Sequence, residues 1–294
     1  MKVTISGDVD FIRRINNSNF SGVVHSTFNR TFNIQCSGDG ELFTIACRMV
    51  DNAPNTLIID SDDLSSWGIE VNDRVFVKNN TLYIENKLAI LVEKARIWAS
   101  AIPAYPCNID TLSRNLKTIK EYIDAHGKEG GIKKKPTVQN SFEAELARML
   151  ELRTSLLWSE LLKNHKSQAL KHAVSLVGLG PGLTPSGDDF LVGLFTAINM
   201  IDSPFYDWRP FCEAVTKKAR HLTNDISYTT LEKAAMGKVR ESIINLVNSL
   251  IADNEEDLIL SLNKVFNIGS SSGTDIALGL VCGLEANIIA GGKV

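Results

Sequence analysis

The spacing of apolar residues changes once along this chain, and the change limits the fold to a β-rich part followed by a helical part. Short runs rich in Val, Ile, Thr and Phe between turn residues are typical of strands. Because such runs follow one another closely in the first third, the sequence predicts a small antiparallel sheet or barrel there. The six predicted strands are Phe20 to Phe28, Thr31 to Cys36, Leu42 to Met49, Thr56 to Asp60, Arg74 to Lys78 and Leu82 to Glu85.

Beyond these runs the apolar spacing becomes helical. Strands and helices do not alternate, which argues against a doubly wound sheet and indicates an α+β fold. We expect a β-rich domain over residues 1–100, a connecting segment over 101–140 and a helical domain over 141–294. The predicted helices are Leu88 to Ser100, Leu112 to Ala125, one from Ser141 past Leu161, Lys166 to Val177, Gly187 to Met200, Arg209 to His221, Ser227 to Met236, Lys238 to Ala252, Glu255 to Phe266 and Gly273 to Ala290.

Charge and composition restrict the possible partners. The 294 residues carry a formal net charge of −3, so nothing indicates nucleic acid or an anionic membrane surface as a partner. The basic run Lys133-Lys134-Lys135 is short and follows two glycines, and we interpret it as a solvated loop. Five cysteines without a C-x-x-C pair fit reduced thiols in a cytoplasmic protein.

Targeting and membrane segments are not expected. The start, Met1-Lys-Val-Thr-Ile-Ser-Gly-Asp8, lacks the basic start and apolar run of a signal peptide. The most apolar stretch, Ile276 to Ala290, contains Glu285 and falls short of the roughly 18 residues that span a bilayer.

The motif Gly178-Leu-Gly-Pro-Gly-Leu-Thr-Pro-Ser-Gly-Asp-Asp189 is the strongest functional signal. Glycine lets backbone approach a ligand closely, while proline stiffens the segment, so we interpret it as a ligand-binding loop that ends in a helix start. We expect Ser186 to cap that helix and free N–H groups there to receive an anion. Asp188 stands where a P-loop needs lysine, and Leu183 stands where a dinucleotide fingerprint needs glycine, so both of those sites are excluded. The candidate substrate-binding residues are Gly180, Gly182, Thr184, Ser186 and Gly187.

A second copy of the helix start lies 86 residues downstream. Ser186 to Leu194 and Ser272 to Leu280 share the pattern S-G-x-D-x-x-x-G-L. The small residues Gly193 and Gly279 permit close helix approach, so we predict that the two helices pack together with their N-termini at one pocket. This adds Ser271, Ser272 and Gly273 to the candidate substrate-binding residues.

Three aspartates are the candidate catalytic residues: Asp188, Asp189 and Asp275. They would orient a nucleophile or hold Mg²⁺, which favours a few carboxylates together with water and substrate phosphate. No other cofactor is indicated.

Three further residues are candidate substrate ligands. Thr223 and Ser227 precede and begin a predicted helix, and His25 lies on a predicted strand, where it would act as a base.

The glycine-proline loop, followed by Gly269-Ser-Ser-Ser-Gly-Thr-Asp275, resembles the bacterial domain-of-unknown-function family 2877. Members of that family were labelled carboxylases, and they include a subunit of the oxamate carbamoyltransferase of anaerobic allantoin breakdown. The resemblance covers most of the chain in its order of parts: a strand histidine, the loop, a Thr-x-x-x-Ser segment and the C-terminal helix start. It implies a multi-subunit enzyme of purine nitrogen catabolism whose substrates, carbamoyl phosphate and oxamate, are small anions.

Three functions therefore remain open at this point. The first is a subunit of a carbamoyl- or acyl-transfer enzyme that binds a small anionic substrate at the two helix starts. The second is a Mg²⁺-dependent hydrolase or phosphotransferase that uses the three aspartates. The third is a non-catalytic assembly or regulatory subunit.

Overall fold

The computed structural model describes residues 2–17, 20–134 and 140–292. The chain forms two compact units, Met1–Ser100 and Ala101–Val294.

The first unit is a closed β-barrel of mixed strand direction. Its strands are β1 (Lys2–Asp8), β2 (Ser21–Thr27), β3 (Thr31–Cys36), β4 (Leu42–Cys47), β5 (Thr56–Ile59), β6 (Arg74–Lys78), β7 (Thr81–Ile84), β8 (Leu88–Leu91) and β9 (Arg96–Trp98). The hydrogen-bonded order is β5-β4-β3-β2-β6-β7-β8-β1, and β1 pairs back onto β5, which closes eight of the described strands. The pairs β4–β5, β1–β8 and β1–β9 are parallel and the remaining pairs are antiparallel, so the barrel is mixed where we predicted an antiparallel one.

The segment from residue 88 to 100 forms strands, and the helix predicted there is wrong. Burial along β8 alternates, with Leu88 and Ile90 buried and the residues after each only half-buried. A short apolar run fits the 3.6-residue period of a helix as well as the two-residue period of a strand. Hydrogen bonding to β7 and β1 stabilises the strand here. The sequence analysis also missed β1 and the helix α1 (Val9–Asn16), whose Phe11 packs on Phe43 with ring centroids 4.6 Å apart in the barrel core.

The second unit is helical, as predicted. Its helices are α2 (Asp110–His126), α3 (Ser141–Leu162), α4 (Lys166–Leu176), α5 (Ser186–Ile198), α6 (Arg209–Ala219), α7 (Asp225–Ala235), α8 (Glu241–Ile251), α9 (Glu255–Phe266) and α10 (Ser272–Ala290). The segment 101–140, expected to be a connection, contributes α2 to this unit. Leu112 and Leu116 of α2 share a buried cluster with Leu246 of α8, and Asn115 donates to the carbonyl of Ala252 at 2.8 Å.

The helix α10 is long and apolar enough to cross a membrane by length and composition, so the expectation that no stretch reaches that length is wrong. Of its apolar window, 67% is buried inside the fold, mainly against α5. Both helices carry the S-G-x-D motifs, and α5 is buried along its whole length whereas α10 is buried along most of it. Burial in the protein core explains the apolar composition of α10 without a bilayer.

Lys133 is bound to the end of a helix, so the interpretation of the basic run as a solvated loop is wrong for this residue. Its ammonium donates to the carbonyls of Ile123, Asp124 and Gly127 at 2.8 to 3.0 Å. A cation on carbonyls at the C-terminal end of α2 supplies donors where the helix itself provides few. Lys134 pairs with Glu151 on the surface, and the third lysine of the run lies outside the described residues.

Candidate functional site

The two helices with the repeated motif pack directly against each other. A Cβ atom at Gly193 would lie 1.9 Å from the carbonyl oxygen of Ile276, and one at Gly279 would lie 1.9 Å from that of Phe190. Gly279 is equivalent to Gly193, and Ile276 is equivalent to Phe190, each 86 residues apart. The two contacts are therefore the same contact with the two helices exchanged. The contact between α5 and α10 therefore has local two-fold symmetry, and only glycine allows the backbones to approach so closely.

The same symmetry relates the polar residues at the helix starts. The Ser272 hydroxyl favours the charged form of the Asp189 carboxyl, and the Ser186 hydroxyl favours that of the Asp275 carboxyl, so each serine opposes the rise in pKa of the aspartate of the other helix. Thr184 of the loop lies 2.8 Å from Ser272, oxygen to oxygen. The predicted meeting of the two helix starts is therefore present in the structure, and each aspartate is held by the serine of the other helix.

Ser186 does not cap α5, in contrast to the prediction. Pro185 occupies the cap position, Ser271 occupies it in α10, and neither helix has a side-chain cap. Each motif serine is the first residue of its helix, so its hydroxyl is directed across to the opposite motif.

Three of the backbone N–H groups at each helix start are paired within the protein, which limits the donors that we expected an anion to find there. The N–H groups of Gly187 and Gly273 donate to Leu179 and Ile268, and those of the next two residues in each motif donate to the carbonyls of Pro185 and Ser271. Within the described residues the N–H groups of Ser186 and Ser272 make no such bond, so anion binding at the helix starts stays a prediction. Gly187 and Gly273 also lie against backbone, since Cβ atoms there would lie 2.0 Å from the Leu176 oxygen and 1.9 Å from the Val265 oxygen.

Asp188 holds the glycine-proline loop in place. One carboxyl oxygen accepts from the Gly178 N–H at 2.8 Å, and the other accepts from the hydroxyls of Thr223 at 2.5 Å and Ser227 at 2.7 Å. Burial raises the pKa of Asp188, and these three donors oppose that rise. Thr223 and Ser227 therefore bind Asp188 in the structure, and their role as substrate ligands stays a prediction.

The backbone of the loop has the conformation that its glycines predict. Gly178, Gly180 and Gly182 all have positive φ, and a Cβ at Gly180 would lie 2.4 Å from the Ser186 nitrogen. Asn224 caps the start of α7 and donates its side-chain amide to the Leu183 carbonyl at 2.8 Å, which ties the tip of the loop to α7.

Asp189 and Asp275 form a pair of buried acids. Asp189 is 4% exposed and Asp275 is 0% exposed, and in each carboxyl the Oδ2 atom has no hydrogen-bond partner among the described residues. Burial raises the pKa of Asp189 to about 8, and the nearby Asp275 charge adds to the rise. Burial also raises the pKa of Asp275 to about 6. At neutral pH the pair therefore carries fewer than two negative charges.

The three aspartates do not form one metal site. Asp188 is directed toward Gly178 and α7, whereas the other two interact with the motif serines. Within residues 2–17, 20–134 and 140–292, no group of three His, Cys, Asp or Glu side chains is placed to hold a metal ion. The proposed Mg²⁺ ligand set of Asp188, Asp189 and Asp275 is therefore wrong as a set.

A segment that the sequence analysis missed lies over the start of α10, and we call residues 127–134 the strap. The Ile132 N–H donates to Asp275 Oδ1 at 2.8 Å, and the Lys128 N–H donates to the Thr274 hydroxyl at 2.8 Å. Gly131 lies against the same carboxyl, since a Cβ there would lie 2.1 Å from Asp275 Oδ2. Three glycines in this stretch were the available signal, but backbone donors have no side-chain signature in a sequence.

His25 belongs to the other unit. It lies in β2 at a register shift between Val24 and Ser26, and its Nδ1 atom is 3.2 Å from the Ser26 hydroxyl. Such bulges redirect side chains and are frequent near active sites. The proposed role of His25 as a base for the substrate stays a prediction.

Comparison with known families identifies the chain. Residues 176–284, which include both helix starts, match the family described as oxamate carbamoyltransferase subunit AllH. Residues 3–97, which include the barrel, match the N-terminal domain of the same AllH family. No solved structure matches the chain. The two matches together cover more than two thirds of the sequence and confirm the subunit family that the motifs indicated, so the chain belongs to the AllH family of oxamate carbamoyltransferase subunits.

Proposed function

We propose that this chain is the subunit of a cytoplasmic oxamate carbamoyltransferase that binds a small anionic substrate at the paired starts of α5 and α10, in the nitrogen catabolism of allantoin and purines. The observation that carries the proposal is the crossed pairing of Ser186 with Asp275 and Ser272 with Asp189. That pairing brings the two motifs of the family match into one buried polar site.

The electrostatics of this site suit a small anionic substrate. A raised pKa keeps Asp189 mainly protonated at neutral pH, so the acid pair does not present two full negative charges to the substrate. The N-terminal ends of two helices meet at the same place, and their dipoles favour negative charge. Asp188 acts in the proposal as a positioning residue, because all three of its bonds go to the loop and to α7.

The test is carbamoyl transfer by the assembled enzyme. The chain is purified from its own cells with the subunits that it binds, and oxamate-dependent release of phosphate from carbamoyl phosphate is measured. We expect Asp189→Asn and Asp275→Asn to lower kcat at least tenfold, whereas the exposed Asp253→Asn leaves it unchanged. Asp253 is a matched control because it is exposed and makes a surface ion pair with Arg114, an interaction that contributes little.

A different result would assign another role. If both variants assemble and keep full activity, the site takes no part in the chemistry, and the chain is an assembly or regulatory subunit. Calorimetric titration with Mg²⁺ tests the metal-dependent alternative, for which we expect no heat of binding at these aspartates.

A further inference from the structure

The side-chain atoms without a partner at the paired helix starts are carboxyl oxygens. Among the described residues they are Oδ2 of Asp189 and Oδ2 of Asp275. Three N–H groups of each first turn already donate to protein carbonyls. An ionised carboxylate only accepts hydrogen bonds, so a ligand that completes these oxygens must supply donors.

Two such atoms are costly to the fold, and their residues are near enough for the Asp275 charge to raise the pKa of Asp189. A buried acceptor that loses its hydrogen bond to water and gains none in the protein costs about 1–3 kcal/mol. Both residues are at least nine-tenths buried, and they belong to equivalent positions of the two motifs. A ligand that donates to both oxygens would recover this cost on binding.

The strap indicates which kind of donor these carboxyls accept. The other oxygen of Asp275 already receives a backbone amide N–H, that of Ile132, at 2.8 Å. An amide N–H is a neutral donor, so it pairs with a buried carboxyl without the desolvation cost of an ammonium group. A carboxylate of the ligand at this position would instead be repelled by the negative charge of the acid pair.

We propose that Asp189 and Asp275 bind the –NH₂ group of a primary amide on the substrate through these two oxygens, and that the site thereby selects amides over carboxylates of the same size. A primary amide has two N–H bonds in one plane, and the local two-fold symmetry offers one acceptor from each helix. This proposal rests on the proposed function, which names oxamate, a molecule with one carboxylate and one primary amide.

The titration behaviour of the pair agrees with this assignment. Asp275, with a pKa of about 6, is mainly ionised at neutral pH and is a strong acceptor. Asp189, with a pKa of about 8, is mainly protonated, so one oxygen accepts while the other carries an O–H that donates, and the group does not repel the carboxylate of the same substrate.

The strap controls access to the Asp275 side of the site. Gly131 lies directly against Asp275 Oδ2, and the strap is held there by the N–H groups of Ile132 and Lys128. Ligand entry therefore requires the strap to shift, because no atom of a ligand fits between Gly131 and the carboxyl oxygen.

The test compares oxamate with oxalate, which differ only in the replacement of –NH₂ by –O⁻. Binding of each is measured by calorimetry at pH 7 to the full chain carrying its bound subunits. We expect oxamate to bind at least tenfold more tightly than oxalate. In Asp189→Asn and Asp275→Asn the preference should fall below threefold, because the asparagine amide can also donate to oxalate, while Asp253→Asn keeps the wild-type preference.

Each outcome decides the proposal. Equal binding of oxamate and oxalate by the wild type overturns the amide assignment and leaves the proposed function standing. A preference for oxamate that is unchanged in both asparagine variants also overturns the amide assignment and leaves the proposed function standing, because the amide is then recognised by other residues. No binding of either ligand overturns both proposals. The wild-type comparison needs no variant, so it decides even if a substitution prevents folding.

Discussion

Gly193 of α5 lies against the carbonyl of Ile276, and Gly279 of α10 lies against the carbonyl of Phe190. Because the neighbouring atoms are backbone, they cannot rotate away from an added methyl group. We expect Gly193→Ala and Gly279→Ala each to lower the free energy of unfolding by about 3 kcal/mol, the upper range for an overpacked core. Urea denaturation measures the change. Gly291→Ala is the control at the other end of α10, because a Cβ there would meet ordinary contacts at 3.4 Å or more.

Asp189 makes the stability of the protein depend on pH. Its pKa is raised to about 8 in the fold, against about 3.9 in an unfolded chain. The folded protein therefore holds a proton that the unfolded chain releases, so this contribution is complete below about pH 4 and is lost as the pH rises to 8. We expect the free energy of unfolding to fall by about 1.4 kcal/mol per pH unit in that window.

The comparison of variants isolates this group from other titrations. Asp275 adds the same sign of dependence, but only up to its pKa of about 6. Asp189→Asn should therefore flatten the profile of unfolding free energy between pH 6 and 8, measured by denaturant titration at each pH. An unchanged slope in the variant would contradict a raised pKa at Asp189.

We expect Asp188 to stabilise the conformation of the glycine-proline loop more than it affects the charge of the site. Asp188→Ala removes the acceptor of three donors, those of Gly178, Thr223 and Ser227, and leaves the Ser227 hydroxyl buried and the Thr223 hydroxyl half-buried without it. We expect a loss of about 3 kcal/mol of unfolding free energy. Asp188→Asn keeps one acceptor oxygen and should lose less than half as much. Hydrogen exchange of the Gly178 amide, which we expect to accelerate in both variants, reports the local effect.

Lys133 should stabilise the end of α2. Lys133→Met removes a cation from three carbonyls of the last turn, so we expect a loss of about 1–2 kcal/mol and faster hydrogen exchange near His126. The neighbouring Lys134→Met is the control, since Lys134 makes an exposed ion pair with Glu151, which contributes little. Equal effects of the two substitutions would show that the carbonyl contacts do not matter.

Gly131→Ala tests the contact between the strap and Asp275. The added methyl group would lie 2.1 Å from Asp275 Oδ2, and we expect it to displace the strap and lower the melting temperature. In an Asp275→Ala background the same substitution should cost much less, because the obstructing carboxyl is gone. A double-mutant cycle measures this coupling, and additive effects would argue against the contact.

The long helices were predictable from sequence because a 3.6-residue period persists over several turns. The predicted Glu255 to Phe266 is the observed α9, and the predicted Gly273 to Ala290 differs from α10 by one residue. The strands β8 and β9 were not predictable from sequence. A run of three or four residues contains too few positions to distinguish the period of a strand from that of a helix. Their conformation depends on pairing with β1, which is more than eighty residues away along the chain.

The meeting of the two motifs was predictable from the repeated Ser, Asp and Gly positions. The contacts that the motif side chains make within the site were not predictable. The sequence does not indicate that Ser186 is the first residue of the helix and not its cap. The strap was missed for a related reason: Ile132 contributes only its backbone N–H, a group that every residue except proline has.

The position of β1 in the barrel has a consequence for the order of folding during synthesis. Ser6 pairs with Ile58 of β5 and with Arg96 of β9, and Lys2 pairs with Ile90 of β8. During synthesis β1 can pair with β5 once residue 59 is available, but the edge that pairs with β8 and β9 stays open until the last strands of the unit have been made. Long-range pairing of this kind slows folding and exposes a strand edge in the meantime. The nascent barrel is thus most vulnerable to aggregation before residue 98 emerges, and a chaperone would have most effect in that interval.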